Sequence, residues 1–400
     1  MRPLEGVRIL ALESMQALPF ATQLLARLGA DVLKVEPVQG GDQARGALPA
    51  ITDEEGRRTG ATFLRNNLNK RSIAVDLKQD AGRQLVLDLA SRFDVVAENS
   101  RAGAMARLGL GFDDVRAVAP RVVYLSVSGF GNTVPTPYAD WPAFAPIVEA
   151  MSGVYEFKRP ADGPPVVAPV GALGDIGTAL FATVGVLAAL RQRDATGEAQ
   201  YVDVAMLDSL IALTDLVTNM WSFGVDLKAP PTMILNGFQA SDGWFIVQVG
   251  REHFFARLAE TIGHPEWLDD PRLATRQGWV DHLEDVIRPG IESWAAGMTK
   301  LEACEALGAA GIPAGPCFDA GEVAHDPHVA ARQMLVEIPR TDGVAQPVLV
   351  PGNPVRIVGL EGTPDAPFPH LGQHTDEVLT TELGLTPAEI NALRETGTVA

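Results

Sequence analysis

Short apolar runs alternate with longer stretches of helical periodicity through the first half of the chain. Arg8-Ile9-Leu10-Ala11-Leu12 follows Gly6 and reads as a buried strand. A helical stretch runs from about Ala17 to Leu28, and Gly29 stands where a helix commonly ends in a left-handed residue. Asp31-Val32-Leu33-Lys34-Val35-Glu36 is the next strand, so one βαβ unit is complete within the first 36 residues. The pattern recurs: strands at 72–77, 94–97, 122–127 and 201–204, an amphipathic helix from Gln79 to Arg92, and a long Ala/Leu/Val-rich helix from Ile176 to Arg193. Such alternation predicts an α/β fold with a parallel sheet covered by helices. In these sheets ligands sit beyond the carboxyl ends of the strands, so the loops after the strands are where chemistry is sought.

Near residue 225 the pattern changes. Pro230-Pro231 breaks the helical region, and Phe238–Val249 reads as a hairpin turning at Ser241-Asp242-Gly243. Helices are expected at 253–262 and 300–308, which makes the middle block a smaller α+β unit. Short strands return at 348–350 and 355–357, and a last helix runs from Pro387 to Arg394 behind the cap residue Thr386.

Composition narrows the function. A formal net charge of -18 over 400 residues argues against nucleic-acid or anionic-membrane partners, which need a basic footprint. Two cysteines without zinc-ligand spacing fit a reducing compartment, and no metal is expected. The first residues lack a signal-peptide pattern, and no uninterrupted apolar run reaches the roughly 18 residues of a membrane span. A cytoplasmic protein is the expectation. Walker, Rossmann-glycine, nucleophile-elbow and HExxH motifs are absent, and Gly129-Phe130-Gly131 is a weak GxG.

The candidate that remains is Asp175, within Gly174-Asp175-Ile176-Gly177 and just ahead of the long helix. The plain reading is a helix N-cap. The chemical reading is a carboxylate open to a ligand beside glycines, with helix N–H groups at hand to stabilise an oxyanion. Pattern alone leaves both open.

The surroundings of Asp175 resemble the family III CoA-transferases, the CaiB/BaiF group, over essentially the whole chain. The resemblance rests on Pro3–Leu10, Gln16-Ala17-Leu18-Pro19, Leu28–Pro37, Asn69–Leu77, Glu98–Gly103, Ser126–Gly131, Gly174-Asp175 and Leu371–Thr375, all in order. It implies a Rossmann-like large domain from residues 1–224 and 331–400, a small α+β domain from 225–330, and a homodimer of two interlocked rings. It implies that Asp175 is the catalytic nucleophile of a CoA-transferase acting on an acyl-CoA and a carboxylic acid, with coenzyme A as substrate and no permanently bound cofactor. Gln16 and Ala17 would lie near the thioester, Asn99 and Arg107 near the nucleotide, and Met206 along the pantetheine. Arg101, Lys70 and Arg71 are further basic candidates for the phosphates. Each basic residue also reads as solvated surface charge, and Met206 as core.

Departures from the family pattern bear on the activity. Ser100 and Ala102 stand where an aromatic and a proline are usual, Pro37 and Pro142 where some members have cations, and Ala145 where an acid is common. No glycine-rich lid lies between Leu235 and Gly250, which argues against formyl-CoA:oxalate transfer. Trp141, Phe144 and Ala145 suggest a less polar acyl group. An α-methylacyl-CoA racemase, within the same superfamily, would need a proton-carrying histidine where Phe144 stands. A non-catalytic acyl-CoA-binding member is the other alternative.

Overall fold

In the computed structural model, residues 2–156, 159, 163–167, 172–216, 220–225, 232–360 and 365–400 are described; Pro230 and Pro231 lie outside them. Two compact units are present, residues 1–224 with 333–400, and residues 225–332.

The first unit is built on six parallel strands: β1 (Arg8–Leu12), β2 (Asp31–Glu36), β3 (Lys70–Ala74), β4 (Val95–Glu98), β5 (Val123–Ser128) and β6 (Gln200–Ala205). Their order across the sheet is β3-β2-β1-β4-β5-β6. The chain therefore steps outward in one direction, then returns to the middle and steps outward in the other. Alternate side chains feed two cores, as the period of a strand requires. Leu10, Leu33, Ile73, Val96 and Tyr124 face helix α2 (Asp80–Ala90) and two helices near residues 375–395. Ile9, Val32, Val95, Val123 and Leu125 face helices α1 (Ala17–Arg27) and α4 (Leu173–Thr196). Between β5 and α4 lies the short helix α3 (Ala145–Met151), and helix α5 (Met206–Leu213) follows β6.

The helix α4 is close-packed through glycines. A Cβ on Gly174 would meet Ala145 Cα at 3.1 Å, one on Gly177 would meet Leu213 Cδ1 at 2.2 Å, and one on Gly185 would meet Val202 Cγ1 at 2.7 Å. By length and composition α4 could cross a membrane, although half of its apolar window is buried within the fold. Its outer face carries Leu173, Leu180, Phe181, Val184 and Leu187, all exposed.

The second unit has the hairpin Ile234–Ala240 and Gly243–Val249, joined by the third strand Ala314–Pro316. Its core gathers Phe238, Phe245, Trp267 and Trp279 with surrounding helices. In the returning segment, Leu335–Ile338 pairs with Val348–Pro351, whereas the strand expected at 355–357 is irregular backbone. Among the described residues no strand pairs with it. Helix Thr375–Leu383 then returns to β3, where Ala74 N–H donates to Thr375 Oγ1 at 3.2 Å, and Val399 bridges Val75.

Candidate active site

The strand order reverses between β1 and β4, so the loops after these two strands face one crevice. One side chain ties them together. Asn99, first after β4, donates from Nδ2 to Ser14 O and accepts Ser14 N–H on Oδ1, both at 2.9 Å. Asn99 therefore spends its amide on the loop beside the crevice, and its sequence assignment to the nucleotide becomes a supporting role. The next residue, Met15, has φ 67°, a left-handed conformation unusual for methionine. Asp42 stabilises it by accepting Met15 N–H and Ser14 Oγ, each at 2.9 Å.

Under this loop lies a buried set of charges. Lys34 pairs with Asp42 at 2.7 Å and Glu13 at 3.4 Å, and Lys70 pairs with Glu13 at 2.6 Å. All four side chains are fully enclosed. Burial pulls the Lys70 ammonium down to about 8, with Glu13 opposing the shift. Lys70 is thus a structural cation, and the sequence expectation that it meets phosphate is corrected. Arg71 is likewise engaged, by Asp31 at 2.7 Å and Glu377 at 3.3 Å. A doublet of basic residues looks alike in sequence whether carboxylates fold against it or not.

Gln16 occupies the N-cap position of α1 but its side chain makes no capping bond, and Ala17, the first helical residue, is buried. Arg101 and Arg107 are exposed and have no ion pair among the described residues. Arg107 leans on Gly103, whose missing side chain leaves it room: a Cβ there would stand 3.0 Å from Nη1. Gly103 also lines a cavity of about 680 Å³ with Glu98, Phe112, Tyr124, Asn132 and Tyr201. Burial pushes Glu98 up to about 7. The loop after β5 closes one side, where Asp203 accepts the N–H groups of Asn132 and Thr133 at 2.8 and 2.7 Å. The weak GxG motif leads into this loop.

Helices α1 and α4 pack side by side, and both run back from the carboxyl edge of the sheet. The starts of both helices therefore lie on the carboxyl side of the sheet. Ala172 is the N-cap, which places Asp175 in the first turn as the third helical residue; it caps nothing, and its carboxylate has no hydrogen-bond partner among the described residues. The N-cap reading of Asp175 is overturned. The neighbouring glycines serve packing, since Gly174 admits α3 and Gly177 admits Leu213. Met206 is buried with Phe130, Ala145, Val148 and Leu210, so it stands in a small core beside α3.

What the sequence reading missed is Glu149. This carboxylate, 2% exposed, accepts Gly174 N–H at 2.8 Å and the hydroxyl of Tyr155. Desolvation first, and the charge of Glu149 second, push Asp175 up to about 6. An acid alone in the apolar run Pro146–Met151 was the available signal. The site thus offers a half-buried carboxylate, without a hydrogen-bond partner among the described residues and more basic than usual, in the first turn of a helix whose amides can oppose developing charge. Among the described residues no group of three metal-ligating side chains gathers.

The model of the family described as "CoA-transferase family III" matches residues 4–375. The chain belongs to that family. Among its relatives, a succinyl-CoA–D-citramalate CoA-transferase of Chloroflexus aurantiacus is 35% identical over 98% of this chain and 97% of its own. A formyl-CoA:oxalate CoA-transferase of Streptomyces avermitilis is 33% identical over the whole of both chains. A CaiB/BaiF family protein from Brucella suis superposes with a TM-score of 0.81 at 29% identity, covering 95% of this chain and 99% of its own. Family III thus frames the geometry just described: a CoA-transferase with Asp175 at the crevice end of α4.

Proposed function

We propose that this family III CoA-transferase moves coenzyme A from an acyl-CoA to a carboxylic acid through covalent intermediates on Asp175. The observation that carries the reading is Asp175 itself, a carboxylate with no hydrogen-bond partner among the described residues and with its pKa raised to about 6. It is ionised at neutral pH yet more nucleophilic than an ordinary aspartate. Attack on the thioester carbonyl expels CoA thiolate and leaves a mixed anhydride. Thiolate then attacks the Asp175 carbonyl, releases the donor acid and leaves an aspartyl-CoA thioester. The acceptor carboxylate attacks that thioester and the steps run in reverse, returning Asp175. In this reading Gln16 and the first amides of α1 and α4 oppose the tetrahedral oxyanions, and Arg101 and Arg107 meet the phosphates of CoA.

The named relatives take malate, citramalate, oxalate and glutarate as acids. Trp141 and Phe144, both exposed before α3, favour a less polar acyl group in this chain. A racemase reading lacks its second proton carrier, because Phe144 cannot transfer a proton and both oxygens of Glu149 are occupied. The exposed apolar stripe on α4 supports assembly with a second copy.

Incubation with a panel of acyl-CoAs and hydroxylamine, followed by mass spectrometry, tests the reading. Modification at Asp175 is expected with the true donor. The Asp175→Ala variant should lose transfer by at least about a thousandfold while still binding CoA. Transfer that survives in that variant would sink the proposal.

A further inference from the structure

We propose that Glu149 is a positioning residue for Asp175, a fixed negative charge beside the nucleophile that steers the mixed anhydride toward release of the donor acid. This rests on Asp175 being the covalent nucleophile. The placement of Glu149 is built by the fold. Gly174 lets α3 approach the first turn of α4 so closely that a single Cβ would stand 3.1 Å from both Ala145 Cα and Val148 Cγ2. From α3 the Glu149 carboxylate then reaches the Gly174 amide, one residue before Asp175, while Tyr155 holds its other oxygen. No ion pair offsets its charge among the described residues. A buried carboxylate without a cation is costly, and two hydrogen bonds with the positive end of a 24-residue helix are what stabilise it. The same helix end would ordinarily favour an ionised Asp175. Burial and the charge of Glu149 reverse that tendency. The other elements packed against α4 carry Arg27 on α1, Tyr124 on β5, Tyr201 and Asp203 on β6 and Asp208 on α5, and of these groups and Glu149 only Glu149 acts on Asp175 through charge.

The chemical consequence lies in the anhydride. CoA thiolate can attack either carbonyl. Attack on the donor acyl carbon breaks its bond to the Asp175 oxygen, expels aspartate and regenerates the starting acyl-CoA. Attack on the Asp175 carbon breaks the other C–O bond, expels the donor carboxylate and forms the aspartyl thioester. One thiolate enters and one carboxylate leaves in both cases, so charge balances. The less basic carboxylate is the better leaving group. A neighbouring negative charge makes aspartate the more basic of the two, and the productive branch gains. The same charge strengthens Asp175 in its first attack.

The test compares wild type, Glu149→Gln and Glu149→Asp. Glutamine keeps an acceptor for Gly174 N–H and loses the charge; aspartate keeps the charge. The expected result is an acid limb of kcat/KM near 6 in wild type, moved to lower pH in Glu149→Gln, with kcat down about tenfold and KM for acyl-CoA unchanged. Glu149→Asp should restore most of the limb and of kcat. A limb that stays put in Glu149→Gln, with hydroxylamine trapping at Asp175 intact, overturns the role of Glu149 and leaves the nucleophile standing. Loss of trapping in wild type overturns the nucleophile itself. Should Glu149→Gln not fold, Glu149→Met, which also removes the charge, decides: a limb moved below that of wild type supports the role, and a limb left at about 6 assigns the shift to burial alone and overturns it.

Discussion

Asp175 binds its proton more tightly in the folded chain than a free aspartate does, since burial and Glu149 raise its pKa to about 6. Ionising it therefore costs the native state stability at pH values above about 6, and costs nothing below the ordinary aspartate range near about 4. Asp175→Asn removes the cost. The variant should be more stable than wild type by on the order of 1–2 kcal/mol at pH 7.5, after allowance for partial exposure, and no more stable at pH 4. Urea midpoints at the two pH values check this, and equal midpoints at pH 7.5 would count against a raised pKa. In the proposed role Asp175 would be a nucleophile that weakens its own fold, a common bargain at active sites. At this scale the sequence was legible where residue type limits the chemistry: Asp175 stood out because few other motifs competed. It was opaque where the environment decides. Lys70 and Arg71 read as phosphate ligands until Glu13 and Asp31 folded against them, and Glu149 lies 26 positions before Asp175 with no local sign that α3 would touch α4.

Among the elements, α4 owes its position to glycines that no helix propensity would choose. Gly185→Ala gains about 1 kcal/mol of intrinsic helix preference. It also drives a methyl group against Val202 Cγ1, 2.7 Å away on β6. Val202 is β-branched and paired with Leu125 on β5, so it has little rotamer freedom with which to retreat. Overpacking of this kind costs about 1–3 kcal/mol. The net expectation is a destabilisation of about 1 kcal/mol, visible as a lower urea midpoint; a more stable variant would show that β6 yields. At Gly177 the obstacle is the tip of a partly exposed Leu213, which can swing aside. Strands and helices were legible to within a residue or two wherever an apolar run ended at a polar turn, as at Arg8–Leu12 and Asp31–Glu36. They were not where pairing sets the boundary. The apolar run through Val75-Asp76-Leu77 suggested a later strand, but β2 is matched to Lys70–Ala74, and among the described residues no strand pairs with 355–357.

For the whole molecule, the exposed stripe on α4 makes a definite expectation. Leu173, Leu180, Phe181, Val184 and Leu187 recur at helical spacing on one face, with Val184 the most exposed. The proposed assembly through this stripe predicts a wild-type dimer that Val184→Arg converts to a monomer in light scattering after size exclusion, and a wild-type monomer would remove the basis for assembly. The stripe was hidden in sequence because α4 is apolar on nearly every face, so periodicity could not separate core from contact. The parallel sheet was legible from the alternation of runs, whereas the arrival of residues 375–399 at β3 was not: it depends on His374, Thr375 and Val399 meeting strand residues some 300 positions earlier. That return imposes a timetable on biosynthesis. A ribosome adding roughly 5–20 residues per second finishes β6 some ten to forty seconds before Val399 is made. For that interval the nascent sheet shows the apolar side of β3 to the cell with its cover not yet written. Residues 225–332, a compact unit of their own, can fold meanwhile. The unit that carries the sheet is begun first and completed last, and its yield in a cell should depend on how well chaperones shelter the waiting edge.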